Sequence, residues 1–260
     1  MIVDFHAHAF PDAIAPRAMA RLELEHCKAK HDGTVSGLLR SMDRAGIDKA
    51  VVCSIATKPE QFAPILRWSR AVASDRLIPF ASVHPSDPDA VARIREVKES
   101  GLKGIKLHPY YQDFDLGDER LDSFYQAIAD SGLVLVSHTG YDMAFPQDQR
   151  AAPLKSLRLT SRFPPLRFVA THFGAWQDWD EVERQLIGKP LTLEISLTLE
   201  YLSSEVVRRM ILAHPFDRVL FGTDSPWGDS LEALQRLRAL ELDDVLFRKI
   251  SWENAMRLLA

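Results

Sequence analysis

Ile2-Val3-Asp4-Phe5-His6-Ala7-His8 opens the chain, and the fold can be read outward from it. A short apolar run ends in two histidines spaced two apart. Residues two apart on a strand face the same side, so both imidazoles can approach one ion. Similar runs recur at residues 50–55, 77–83, 104–107, 133–136, 167–170, 191–195 and 218–221. Most are nearly continuous in apolar residues, as expected of parallel strands buried on both faces.

Amphipathic segments separate these runs and carry recognisable ends. Asp87-Pro88-Asp89 opens one helix, and Ser100-Gly101 closes it. Ser203-Ser204-Glu205 opens another, which His214-Pro215 stops, and Asp130-Ser131-Gly132 ends a third. Strand–helix alternation predicts parallel βα units, and about eight of them predict a closed α/β barrel, the (β/α)8 TIM fold. A long excursion from Ala9 to about Gly33 follows the first run. It is expected to wall the active site. His26, Cys27 and His31 within it are read as surface residues.

The bulk properties agree. The chain has 260 residues, 46% hydrophobic and 26% charged, and a TIM barrel needs roughly 250. One domain over residues 1–260 is therefore expected. The formal charge is -4, with no basic stripe, so neither nucleic acid nor an anionic membrane is an expected partner. No apolar run approaches the roughly 18 residues of a membrane span. The N-terminus lacks the pattern of a secretory signal. Two cysteines, Cys27 and Cys53, are too few for a disulfide framework. A cytoplasmic location is expected.

Barrel chemistry sits at the carboxyl ends of strands. The residues there are His6 and His8 after the first run and His84 after the third. Lys106 and His108 end the fourth, His138 the fifth, His172 the sixth and Asp224 the eighth. Six of the nine histidines occupy such places. His6, His8, His138 and Asp224 form a donor set suited to one Zn2+ or a similar divalent ion. Such an ion can lower the pKa of a bound water to about 7.

Five motifs then carry a resemblance. They are Asp4-Phe5-His6-Ala7-His8, Gly104-Ile105-Lys106-Leu107-His108-Pro109, Ser137-His138-Thr139-Gly140, Thr171-His172-Phe173-Gly174 and Phe221-Gly222-Thr223-Asp224-Ser225-Pro226-Trp227. In this order they resemble the amidohydrolase superfamily. They are most similar to the amidohydrolase-related branch that includes aminocarboxymuconate-semialdehyde decarboxylase. Glu253-Asn254-Ala255-Met256-Arg257-Leu258-Leu259 is similar to that branch's closing helix.

The resemblance implies that His6, His8, His138 and Asp224 ligate the metal. It implies that His172 orients or deprotonates the metal-bound water and that Asp224 passes a proton to the leaving group. Lys106 and His108 are candidates for substrate contact, with support of neighbouring groups as the other reading. In binuclear members a lysine in this place can be carbamylated and bridge two metals. Trp176 and Trp227 are candidates for lining a substrate pocket, or for packing between helices. Tyr110, Tyr111 and Tyr141 lie in similar loops. His84, before Pro85, is expected to order its turn.

The favoured expectation is a hydrolase that opens an amide, ester or lactone carbonyl of a small molecule. Non-oxidative decarboxylation of a small unsaturated or aromatic acid is the alternative. Hydration of a double bond and a non-catalytic metal-binding barrel stand behind it. The compact chain tilts the reading toward hydrolysis, because the decarboxylases usually carry larger insertions. A decarboxylase would want an arginine to grip a carboxylate, and Arg150 and Arg162 are the candidates. Related barrels often dimerise, so the resemblance also implies a possible homodimer.

Overall fold

A computed structural model of the chain describes residues 1–22 and 28–260. Its strands are β1 (Val3–Ala7), β2 (Lys49–Cys53), β3 (Leu77–Phe80), β4 (Gly104–Leu107), β5 (Val134–Ser137), β6 (Arg167–Ala170), β7 (Thr192–Glu194) and β8 (Val219–Leu220). They pair in parallel, in the orders β1-β2-β3 and β4-β5-β6-β7-β8. Two seams close the circle. Ala81 bridges to Ile105, and the Lys106 N–H donates to the Ala81 carbonyl at 2.8 Å. At the other seam Ala7 bridges to Ser225, and the Asp224 N–H donates to the His6 carbonyl at 2.7 Å. The result is the closed (β/α)8 barrel that the alternation predicts.

The third run ends earlier than its composition suggests. Its regular pairing stops at Phe80, because Ala81 turns its backbone toward β4 at the seam.

Helix ends follow local chemistry. The Ser203 hydroxyl accepts from the Val206 N–H and caps Ser204–Ala213. Gly132, at φ 65°, ends Asp122–Ser131 in the left-handed conformation that glycine adopts cheaply. Pro88 departs from expectation. It precedes the helix Ala90–Glu99 instead of opening it, because Asp87 Oδ1 accepts from the Asp89 N–H at 2.8 Å and makes a turn there.

The barrel interior has two zones. Val3, Phe5, Val51, Cys53, Phe80, Val134, Val136, Val169 and Leu220 pack together with Ala255 and Leu259 of the closing helix Asn254–Leu259. Their strand neighbours Ala50, Val52, Ile105, Leu107, Leu135 and Leu193 belong to the larger core shared with the helices. Continuing the inward parity beyond the apolar zone reaches Lys106, His108, His138, Glu194, Ser196 and Asp224. The interior thus turns polar toward the carboxyl ends of the strands. In β1, regular alternation would send His6 and His8 outward if Val3 and Phe5 point inward. A register shift between Asp4 and Ala7 resets the phase.

The excursion after β1 leans on the β8 loop. The Lys30 N–H donates to the Pro226 carbonyl at 2.7 Å, and His31 Nε2 lies 2.9 Å from Ser225 Oγ. His31 is therefore half-buried and tied down, not the free surface residue expected. His26 and Cys27 lie outside the described residues. Among the described residues, no helix is long and apolar enough to cross a membrane.

Candidate metal centre and active site

His6, His8 and Asp224 converge. His6 Nε2 and His8 Nε2 are 3.2 Å apart, and Asp224 Oδ1 lies 3.3 and 3.0 Å from them. All three residues are buried. The tautomer of His8 follows from its neighbour. Its Nδ1 faces the Cys53 carbonyl at 2.7 Å, and a carbonyl only accepts. His8 therefore carries its proton on Nδ1 and aims the Nε2 lone pair at the cluster. His6 Nδ1 lies 3.0 Å from Glu194 Oε2, so a proton there also leaves Nε2 bare. Two lone pairs and a carboxylate oxygen then crowd one point. Burial also holds His6 well below its usual pKa, so protonating it is unfavourable. A divalent cation relieves that crowding, and the donor types suit one.

Buried carboxylates hold this set in place. Asp4 accepts from Thr223 Oγ1 at 2.6 Å, from the Thr223 N–H at 3.0 Å and from the His6 N–H at 3.1 Å. It thereby ties β1 to the loop that carries Asp224. Burial pushes its pKa up to about 7, against the lowering effect of the Thr223 hydroxyl. Glu194 is raised to about 8 for the same reason. Ser196 Oγ lies 2.8 Å from Glu194 Oε2 and 3.1 Å from both His6 Nδ1 and His172 Nδ1. Imidazole–carboxylate pairs of this kind orient metal ligands. Glu194 and Ser196 belong to none of the five motifs. The available signal was a lone carboxylate inside the apolar run Leu191-Thr192-Leu193-Glu194-Ile195.

The other expected residues lie close by. Lys106 is buried, and its Nζ is 2.9 Å from His6 Nε2. Desolvation lowers its pKa. His138 turns Nε2 to the Tyr141 carbonyl at 2.7 Å and Nδ1 to His172 Nε2 at 3.1 Å. The geometry groups it with His108 and Asp142, not with the His6–His8–Asp224 cluster. His108 stacks on His138 with centroids 4.2 Å apart and rings 14° from parallel, and its Nε2 is 3.3 Å from Asp142 Oδ2. Nearly parallel stacked rings cannot both direct in-plane lone pairs at one ion, so this second group is a poor metal site. Burial depresses the pKa values of His108, His138 and His172 well below the ordinary histidine value.

Backbone strain gathers at the same end of the barrel. His172, Phe173, Gln177, Leu197 and Asp224 all adopt positive φ, between 55° and 60°. Aspartate tolerates this conformation better than most residues. At 224 it swings the carboxylate back over β1.

Aromatic side chains border the site. Trp176 is buried edge-on to His172, with ring centroids 5.6 Å apart, and also packs on Trp179 and Tyr201. Trp179 Nε1 donates to the His172 carbonyl at 2.9 Å. Tyr111 meets His108 edge-on at 4.6 Å. Trp227 is half-buried and its N–H donates to the Asp224 carbonyl at 2.9 Å. Tyr110 serves structure, with its hydroxyl donating to the Gly140 and Asp148 carbonyls, and Tyr141 receives a bond from Gln149. His84 orders its turn through Ser86, as expected. The two candidate arginines are engaged elsewhere. Arg150 pairs with Asp148 and Asp113, and Arg162 with Asp122. A groove of about 420 Å³ between the helices Ala90–Glu99 and Asp122–Ser131 is lined by none of the donor residues.

Imidazole nitrogens and a carboxylate meeting at the carboxyl-terminal mouth of a closed barrel define a class, the metal-dependent TIM-barrel enzymes. A family model described as Amidohydrolase matches residues 3–260, and the chain belongs to that family. No curated protein matches the chain. Among solved structures, an uncharacterised TIM-barrel protein from Bordetella bronchiseptica is 21% identical, with a TM-score of 0.79 over 99% of this chain and 98% of that one. The 5-carboxyvanillate decarboxylase of Sphingomonas paucimobilis is 17% identical, with a TM-score of 0.73 over 99% and 98%. A 5-carboxyvanillate decarboxylase from Novosphingobium aromaticivorans, solved with manganese and a nitrobenzoic acid, is 16% identical, with a TM-score of 0.74 over 100% and 97%. At these identities the likeness is one of fold.

Proposed function

We propose that the chain is a metal-dependent non-oxidative decarboxylase acting on a small aromatic or unsaturated carboxylic acid. The observation that carries this reading is a convergence. The His6–His8–Asp224 donors and the Lys106 ammonium group meet at one point, bordered by imidazole and indole rings. A planar acid fits there with its carboxylate toward the cationic groups. The similar barrels of known activity noted above are decarboxylases. The match covers 98% of the Sphingomonas enzyme's own chain.

A divalent cation bound there would supply Lewis-acid charge against the substrate's oxygens. His6, His8 and Asp224 would hold it; His138 lies with His108 and Asp142 and would join as a fourth ligand only by turning its ring away from His172. Zinc suits these donors, and the Novosphingobium relative holds manganese. Lys106 would face the carboxylate. In the reaction the bond between the carboxyl carbon and its neighbour breaks. Its electron pair stays on that neighbour, which takes a proton, and carbon dioxide leaves. Asp224 would deliver the proton, and His172, packed against the His6 and His138 rings, would assist the transfer. Trp176 and His108 would confine the ring, and Trp227 would close the β8 side.

The test is a panel of hydroxybenzoic and unsaturated acids beside lactones, esters and amides, assayed with metal-loaded protein. Carbon dioxide release from one of the acids, with the decarboxylated product in equal amount, is expected. Hydrolysis of a carbonyl substrate without carbon dioxide from any acid would return the assignment to the hydrolases.

A further inference from the structure

At its catalytic end, the seam between β3 and β4 is closed by side chains. Lower down the backbone closes it. The Ala81 N–H donates to the Gly104 carbonyl at 3.2 Å, and the Lys106 N–H to the Ala81 carbonyl at 2.8 Å. A parallel ladder continues in steps of two residues. Its next bonds would run from the Val83 N–H to the Lys106 carbonyl and from the His108 N–H to the Val83 carbonyl. Two side chains take those places. The Ser82 hydroxyl donates to the Lys106 carbonyl at 2.9 Å. Gln112 stands between His108 and Val83. Its Oε1 accepts from the His108 N–H at 2.8 Å, and its Nε2 donates to the Val83 carbonyl at 3.3 Å.

A carboxamide carries the donor and acceptor of a peptide group on a side chain. Its orientation here follows from its neighbours, because a backbone N–H only donates and a carbonyl only accepts. The other Nε2 proton reaches the Ala56 carbonyl, beyond β2, at 3.0 Å, and Ser82 Oγ lies alongside at 3.4 Å. The Gln112 N–H donates to the His108 carbonyl at 3.0 Å, so the turn over residues 108–112 places the side chain. Gln112 is buried, as are Ser82 and His108. One amide thus ties together the ends of β2, β3 and β4.

We propose that Gln112 is a positioning residue whose carboxamide replaces a missing rung between β3 and β4 and so fixes the strand end from which Lys106 and His108 reach the site. That these two side chains contact an aromatic or unsaturated acid rests on the decarboxylase reading. The side-chain rung stands on the hydrogen-bond geometry alone.

Gln112→Met tests it, because methionine keeps the length of the side chain and removes its hydrogen bonds. The first reading is backbone amide exchange, followed by NMR in Zn2+-loaded protein. The His108 amide is expected to be protected in the wild type and to exchange at least about 10-fold faster in Gln112→Met. An unprotected His108 amide in the wild type, or wild-type protection in the variant, would overturn the rung. The second reading is kinetic, on the acid turned over in the substrate panel. There kcat/KM is expected to fall about 10–100-fold through misplacement of Lys106 and His108. Metal content should be unchanged, because His6, His8 and Asp224 come from β1 and the β8 loop. A folded variant with wild-type kcat and KM would overturn the positioning role. If no acid is turned over, the decarboxylase reading fails and the exchange measurement still decides the rung. If Gln112→Met does not fold, Gln112→Asn, one methylene too short to span the gap, takes its place with the same readings.

Discussion

Gly222→Ala puts the support behind the metal site under direct strain. Gly222 lies on the inward parity of β8, in the same layer as Glu194. A Cβ at this position would lie 2.2 Å from Glu194 Oε1, 2.6 Å from its Cδ and 3.0 Å from its Cγ. Ordinary contact needs about 3.5 Å, so the carboxylate must retreat by roughly 1 Å. Glu194 is fully buried and its carboxylate is bonded to Ser196 and His6. Overpacking costs about 1–3 kcal/mol, and leaving a buried partner unsatisfied costs about 1–3 kcal/mol more. A loss of about 2–6 kcal/mol in urea denaturation is expected, with metal affinity down about 10–100-fold through His6. Gly117→Ala is the control, because its Cβ meets only side-chain atoms at 3.3–3.6 Å. In a double-mutant cycle, Gly222→Ala is expected to add little to Glu194→Ala, since the clashing group is gone. A Gly222→Ala protein with wild-type stability and metal affinity would refute the role given to Glu194.

Two further predictions concern the scaffold. His214 is buried, with Nε2 2.8 Å from the Leu191 carbonyl and Nδ1 accepting from the Gly188 N–H. Burial lowers its folded-state pKa. Its contribution is therefore complete above the unfolded value of about 6.5 and is lost as pH falls through the folded value. His214→Gln should flatten the stability profile below pH 6 by up to about 1.4 kcal/mol per pH unit, measured by urea titration. An unchanged slope would contradict this. Asn254 Nδ2 donates to the Phe216 and Val219 carbonyls at 2.9 Å each, and so fastens the closing helix beneath the barrel. Asn254→Ala should cost about 2–4 kcal/mol by the same assay, because both carbonyls lose their donor, and a loss under 0.5 kcal/mol would contradict it.

The eight strands were legible because each was an apolar run between helix signals, and parallel strands buried on both faces leave that trace. His6, His8 and Asp224 were legible because they end such runs. Other parts left no periodic trace. The phase reset in β1 depends on Asp4 bonding back to the His6 amide. Glu194 and Ser196 hide because a carboxylate inside a strand reads as a break in the pattern until its partners are seen. Arg150 and Arg162 misled because an arginine's partner is set by tertiary proximity. Here the nearby Asp148, Asp113 and Asp122 claimed them. Hydrolysis and decarboxylation share the residues the motifs reveal, so no spacing in the chain could separate them.

The central claim is that His6, His8 and Asp224 hold one divalent cation. The most direct measurement is metal content after equilibrium dialysis against Zn2+ and Mn2+, for wild type and for a His6→Gln/His8→Gln variant shown to be folded by circular dichroism. About one ion per chain in the wild type and well under a tenth of that in the variant is the predicted result. A wild-type protein that retains no ion, or a variant that retains as much as the wild type, would contradict it.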